Sequence, residues 1–123
     1  HPRTRGGCMG DGQHIWAAAE WVLMVRNCLL REEGDRLIVG SGIAPHWLQD
    51  DAIISFGPAP SAFGSVSLEI AAKAGAAGRR ARVSWSGDWH TQAPAVEVRL
   101  PGLKPIMTAP GESAIELSLP EVT

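Results

Sequence analysis

The sequence predicts a mainly β protein: an antiparallel β-sandwich preceded by one long N-terminal α-helix. Three observations carry this reading. Six segments after Gly34 alternate apolar and polar residues with period two, the pattern of half-buried strands. The chain holds 14 Gly and 9 Pro, which favours many turns and short strands. Ahead of the strands, Gln13 to Arg31 lacks that alternation and is rich in strong helix formers. With 123 residues, 45% hydrophobic and 20% charged, the chain can bury one core of its own and is too apolar for a disordered segment. Its formal charge of 11 − 13 = −2 offers no general attraction to nucleic acid or to an anionic membrane. The longest apolar run, Ile15 to Val25, is broken by Glu20 and is too short to span a bilayer.

Taken in order, His1 to Gly10 is basic and glycine-rich, without a hydrophobic period, and reads as irregular. Asp11 suits a helix N-cap, and Gly34 supplies a stop after Glu32 and Glu33. Those limits predict a helix of about 22 residues, or about 33 Å. Successive residues turn by about 100°, which gathers Gln13, Glu20, Asn27 and Arg31 into one narrow polar stripe. The rest of the circumference is apolar, including Ile15, Trp16, Trp21, Val22, Leu23, Met24 and Val25. Such a helix is expected to be packed on several sides.

The first expected strand carries Leu37 and Val39, and the second Ile54 and Phe56. Val66, Leu68 and Ile70 mark the third, and Ala81, Val83 and Trp85 the fourth, with Trp85 in phase with the core. Val96, Val98 and Leu100 mark the fifth, and Ile115, Leu117 and Leu119 the sixth. Between the first two, Ala44-Pro45-His46-Trp47-Leu48 reads as a short helical turn across one end of the sandwich, with Trp47 as its plug. The chain thus divides into residues 1–34, the irregular segment and helix, and residues 35–123, the sandwich.

A single helix laid on a sheet buries about one side. Each large side chain left in water forgoes about 1.5–3 kcal/mol, against a net stability of only about 5–15 kcal/mol. The expected partner is therefore the remainder of a larger polypeptide, or another chain, packing on the helix. That the sequence opens on His1 rather than Met is read the same way, as a processed chain or a piece of a longer one. Cys8 and Cys28 are separated by about 25 Å of helix, which three residues spanning about 10 Å do not bridge, so two free thiols and a reducing compartment are expected.

The densest cluster of chemically versatile residues is Gly6-Gly7-Cys8-Met9-Gly10-Asp11-Gly12-Gln13-His14. Asp11 and His14, three apart at a helix start, can face a common point, where a carboxylate and an imidazole bind hydroxyls or move a proton. The plainer alternative, which spacing alone favours, is that Asp11 caps the helix and His14 packs. Trp89, within Ser86-Gly87-Asp88-Trp89-His90, is the best candidate for an exposed ring able to stack on a sugar, with packing against another domain as the alternative. His46, Asp50 and Asp51 lack a further His or Cys and predict no metal site. Arg79, Arg80 and Arg82 read as a solubilising basic run, Arg80 and Arg82 on the outer face of a strand. P-loop, dinucleotide and nucleophile-elbow motifs are absent from the sequence.

The string Gly-Cys-Met-Gly-Asp-Gly-Gln-His-Ile-Trp-Ala-Ala-Ala-Glu-Trp-Val, from Gly7 to Val22, resembles the last inner helix of bacterial (α/α)6-toroid glycoside hydrolases, with the loop leading into it. Leu30 to Leu37 and Gly42 to Leu48 are similar to the passage from toroid to C-terminal β-sandwich in that family. Pro60-Ser61-Ala62-Phe63-Gly64-Ser65-Val66-Ser67 resembles the strand entry of that sandwich, and the several short blocks together run from about Gly7 to Leu100. The resemblance implies a structural, non-catalytic portion of a glycoside hydrolase. Asp11, Gln13 and His14 would border the saccharide site; Trp89 is a candidate sugar contact on the chemistry of its ring alone. No cofactor or metal is expected, and the free thiols favour a bacterial cytoplasm, with export as the alternative for a cysteine-poor chain. Glycoside hydrolysis needs two carboxyl groups about 5–10 Å apart, which the family draws from earlier helix pairs, so no catalytic residue is assigned to this chain. Two other readings stand beside it: a free-standing carbohydrate-binding sandwich using Trp89 or Trp47, and a hetero-oligomer subunit whose partner covers the helix.

Overall fold

A computed structural model of the chain describes Arg3 and residues 14–121. Helix α1 spans Ile15–Leu29 and runs directly into strand β1, Leu30–Glu33, which turns into β2, Arg36–Val39. A 3-10 turn at Pro45–Leu48 leads to β3, Ile53–Ser61, β4, Gly64–Gly75, and β5, Gly78–Trp89. Strands β6, Ala95–Val98, β7, Ile106–Met107, and β8, Ala114–Ser118, complete the described elements. They form two four-stranded sheets, ordered β1-β2-β6-β7 and β3-β4-β5-β8. The molecule is thus a β-sandwich after an N-terminal helix, and all six expected strands are present.

The sheets are antiparallel throughout except for one parallel pair, β2 with β6, in which Leu37 lies beside Val96 and Val39 beside Val98. Leu30, Leu37, Val39, Val96 and Val98 point inward from the first sheet, and Val66, Leu68, Ile70, Ala81, Val83 and Leu117 from the second. Trp85 sits among them, buried as its phase requires.

The helix is shorter than its composition suggests, 15 residues instead of about 22. Arg31, Glu32 and Glu33 are good helix formers, yet they belong to β1, paired with Ile38, Leu37 and Arg36. Propensity is a weak prior that tertiary pairing overrides. Here the strand places Leu30, fully buried, in the sandwich core. Gly34 therefore does not stop a helix. With φ +63° it opens the two-residue turn between β1 and β2, a left-handed conformation that costs glycine little. Arg31 is consequently absent from the polar stripe of α1. At the other end, His14 caps α1, its Nδ1 accepting from the Ala17 backbone N–H at 3.2 Å. The expected cap, Asp11, lies outside the described residues.

A second correction concerns the end of the sandwich. Leu48, 3% exposed, closes it, whereas Trp47 is 41% exposed and lies edge-on to the His46 ring. Of the four residues of the 3-10 turn only Leu48 turns inward, while Pro45, His46 and Trp47 are exposed.

The tightest backbone approach is at the turn between β3 and β4. Ser61 Oγ donates to the Gly64 carbonyl at 2.6 Å and accepts from the Phe63 N–H. Gly64, at φ +135°, lies so close to β5 that a Cβ there would overlap the Asp88 carbonyl.

Candidate functional site

Of the four residues expected to border a saccharide, Asp11 and Gln13 lie outside the described residues. His14 is exposed at the head of α1, and its ring lies nearly parallel to that of Trp16, with centroids 6.5 Å apart. Because Nδ1 accepts from the Ala17 N–H, the neutral ring carries its proton on Nε2, which points away from the cap. His14 thus offers one free donor at the mouth of a helix N-terminus while serving as a cap.

Trp89 belongs to the end of β5, not to a turn, and faces the interior. Its six-membered ring lies over Gly87, where any side chain would collide with it, and it packs on the core alongside Phe63. The ring is therefore half-buried and is not a free platform. No hydrogen bond or ring contact among the described residues joins it to His14. The more exposed indole of the sandwich is Trp47.

Among the described residues no group of His, Cys, Asp and Glu is arranged to hold a metal ion. Asp50 accepts from Arg79 Nε at 2.8 Å, and Arg79 also donates to the Leu48 and Pro120 carbonyls, tying the 3-10 turn to the last strand's exit. Arg80 and Arg82 flank Glu116 on the outer face of the second sheet, at 3.9 and 3.7 Å. Among the described residues no helix is long and apolar enough to cross a membrane.

Two charged clusters were hidden from sequence reading. The first covers the outer face of the sheet that holds β1, β2 and β6. Glu97, only 5% exposed, accepts from Arg36 at 2.9 Å and Arg99 at 2.8 Å, and Arg99 reaches Glu33, itself paired with Arg31. This lattice lies on the same face as Ile38, which is fully buried although it points away from the core between the sheets. The hydrogen bonds from Arg99 and Arg36 hold the Glu97 carboxyl below its usual range.

The second cluster sits where α1 becomes β1. Arg26 presents two nitrogens to the Glu32 carboxylate, at 2.8 and 2.7 Å, and donates to the Pro60 carbonyl at 2.9 Å. Glu32 also accepts from the Ala62 N–H at 2.9 Å. On a continuous helix residues six apart point to different faces, so the pair becomes visible only once the helix ends at Leu29. The clue was Gly34-Asp35 between Leu30-Arg31-Glu32 and Leu37-Ile38-Val39, a hairpin signal within an apparent helix end.

The fork from Arg26 lowers the Glu32 carboxyl from its ordinary 4.5 to about 2, with the Ala62 N–H helping. A group with a lowered folded pKa contributes stability above its unfolded value, and that contribution drains away as pH falls through the folded one. Unfolding by urea should therefore show a loss between about pH 4.5 and pH 2. After solvent screening this is worth roughly 1–2 kcal/mol, and Glu32→Gln should flatten that part of the profile. Equal pH dependence in the two proteins would exclude it. Both Glu32 and Glu97 are ionised and bound to arginines at neutral pH, which removes them as proton donors to a leaving group.

The dominant surface feature is α1 itself. Ile15 is 83% exposed, Trp16 72%, Trp21 62% and Val22 64%, and Leu23 and Met24 are more than half exposed. Only Leu29, at its end, is buried. No family model, no curated protein and no solved structure matches this chain.

Proposed function

We propose that this chain is the C-terminal structural portion of a carbohydrate-active enzyme of the glycoside hydrolase type. In this reading α1 is the last helix of an (α/α)6 toroid and the sandwich is its buttress. The observation that carries it is the distribution of uncovered apolar side chains around α1. At about 100° per residue, Trp16 and Leu23 lie on one flank of the Glu20/Asn27 stripe and Met24 on the other, with Trp21, Val22 and Val25 behind. One sheet or one helix covers a stripe a little over 100° wide, so several elements are needed to cover this helix. An inner toroid helix has that surrounding. The order of the sequence blocks from Gly7 to Leu100 supports the carbohydrate class, and His14, with its free Nε2–H, is the described residue best placed to meet a sugar hydroxyl.

The chain alone is expected to hydrolyse no aryl glycoside or oligosaccharide. The coding sequence in frame upstream of His1 is expected to add several hundred residues of repeated helical hairpins, and the longer polypeptide to be active. Turnover by the 123-residue chain, abolished by Asp11→Asn, would overturn the proposal. Trp47, 41% exposed, is the observation on the side of a free-standing binding module. A saccharide that shifts the chain's Trp fluorescence, with Trp47→Ala removing the shift, would establish that reading instead.

The exposure of α1 yields a direct measurement. The purified chain should bind a hydrophobic dye strongly, and the triple variant Trp16→Lys, Val22→Glu, Met24→Lys should lose most of that signal. Its effect on the sandwich's unfolding should stay within about 1 kcal/mol, because none of the three side chains reaches the core. Undiminished dye binding would place the apolar surface elsewhere.

A further inference from the structure

The junction between α1 and β1 is Leu30, the first residue of β1, extended at φ −148° and ψ 125°. Between the helix and β3 lies an open groove of about 800 Å³, with Trp21, Val22 and Arg26 on one wall and Phe56, Pro58 and Pro60 on the other. An apolar helix beside an apolar groove has a ready way to bury surface: the turns ahead of its last one can bend inward and narrow the gap. The Leu29 and Cys28 carbonyls accept from the Gly40 and Gly42 N–H groups, each at 2.9 Å, which ties down the end of the helix and leaves the angle of the turns before it to side-chain contacts.

We propose that Arg26 and Glu32 form a latch that fixes the angle between α1 and the sandwich. The guanidinium belongs to the helix, the carboxylate to β1, and the two backbone partners, the Pro60 carbonyl and the Ala62 N–H, to the tip of β3 and its turn. Three segments that meet at the junction are thus joined through one planar, two-pronged contact. A forked Arg–carboxylate pair constrains orientation as well as distance, which a single hydrogen bond or a lysine does not. Both side chains are largely screened from water, at 16% and 25% exposure, so exchange with solvent does not readily displace either prong. Pro60 lines the groove and also accepts from Arg26, so the latch spans the groove's end and sets its width. The value of a fixed helix angle for docking rests on the function proposed above. The latch itself does not, and the following experiment needs no saccharide and no partner.

Spin labels at Glu20→Cys on α1 and Glu69→Cys on β4, both exposed positions, in a Cys8→Ser, Cys28→Ser background, report the helix-to-sandwich distance. The parent should give one narrow distribution. Glu32→Gln, which removes the charge and one acceptor, should at least double its width or shift its centre, while the sandwich's thermal transition persists. Arg26→Met, which keeps the apolar stem and removes the fork, should do the same, and it carries the test should Glu32→Gln fail to fold. A distribution as narrow and as centred as the parent's in the folded variants would overturn the latch. That failure would leave untouched the prediction that the longer polypeptide is the active one.

Discussion

Replacing Gly64 by Ala is expected to lower the unfolding free energy by about 3–5 kcal/mol and the melting temperature by roughly 10–20 °C, a large fraction of what a domain of this size possesses. Two costs add. At φ +135° the backbone lies in a region that L-residues rarely adopt, which costs about 1–3 kcal/mol for a residue with a Cβ. The new methyl would also be driven into the Asp88 carbonyl near the end of β5, a backbone atom held by strand pairing with β4. Relief requires moving β4 from β5, at a further cost of about 1–3 kcal/mol. Gly34→Ala is the control. Its φ of +63° is also left-handed, but nothing stands near the missing Cβ, and about 1 kcal/mol is expected. Thermal unfolding followed by circular dichroism compares the two, and equal losses would show that the contact with Asp88 contributes nothing.

Trp85→Ala should cost about 3–5 kcal/mol, because the indole fills the space between the sheets and its neighbours can close only part of the void. Val83 precedes it on the same inward face, and Leu68 lies opposite on β4, both fully or nearly fully buried, so the cavity would be lined by branched side chains fixed by strand pairing. Trp85→Phe should recover more than half of the loss. Trp47→Ala, by contrast, should stay within about 1 kcal/mol, since Leu48 and not Trp47 closes the sandwich end. Urea titration of the three variants distinguishes these cases, and a Trp47→Ala loss as large as that of Trp85→Ala would contradict the assignment of the core.

These two tryptophans show where a one-dimensional reading succeeds. Trp85 lies within a long alternation, so its phase is set by Val83 and Ala81 and its burial follows. Trp47 lies in a four-residue turn, too short for periodicity to fix a face, and an apolar ring was wrongly assigned to the inside. The helix end failed for a different reason. Arg31, Glu32 and Glu33 are helix formers by local preference, and what draws them into a strand is a partner, β2, whose pairing is a tertiary fact. Both ion-pair clusters follow from pairings of that kind: Glu97 meets Arg36 only because β6 runs beside β2, and Glu32 meets Ala62 only across the sandwich's end. Of the residues singled out for a saccharide, two have a described position. His14 stands at the helix start as expected, but as the cap, and Trp89 is drawn inward by the space that Gly87 leaves for its ring.

The parallel pairing of β2 with β6 has a consequence for the order in which the molecule is made. All of β3, β4 and β5 lie between these neighbours, in residues 40–94. As the chain leaves the ribosome, the β1–β2 hairpin and the helix attached to it emerge ahead of the other strands, but β2 meets its central partner only after β3, β4 and β5 of the other sheet have been synthesised. Contacts so distant along the chain bring the largest loop-closure cost and come late. Until then β1 and β2 form only a two-stranded ribbon, which is marginal in water by itself. Residues 95–98 are thus what completes the sheet to which the helix is joined. Truncation just before them should loosen the opposite end of the chain.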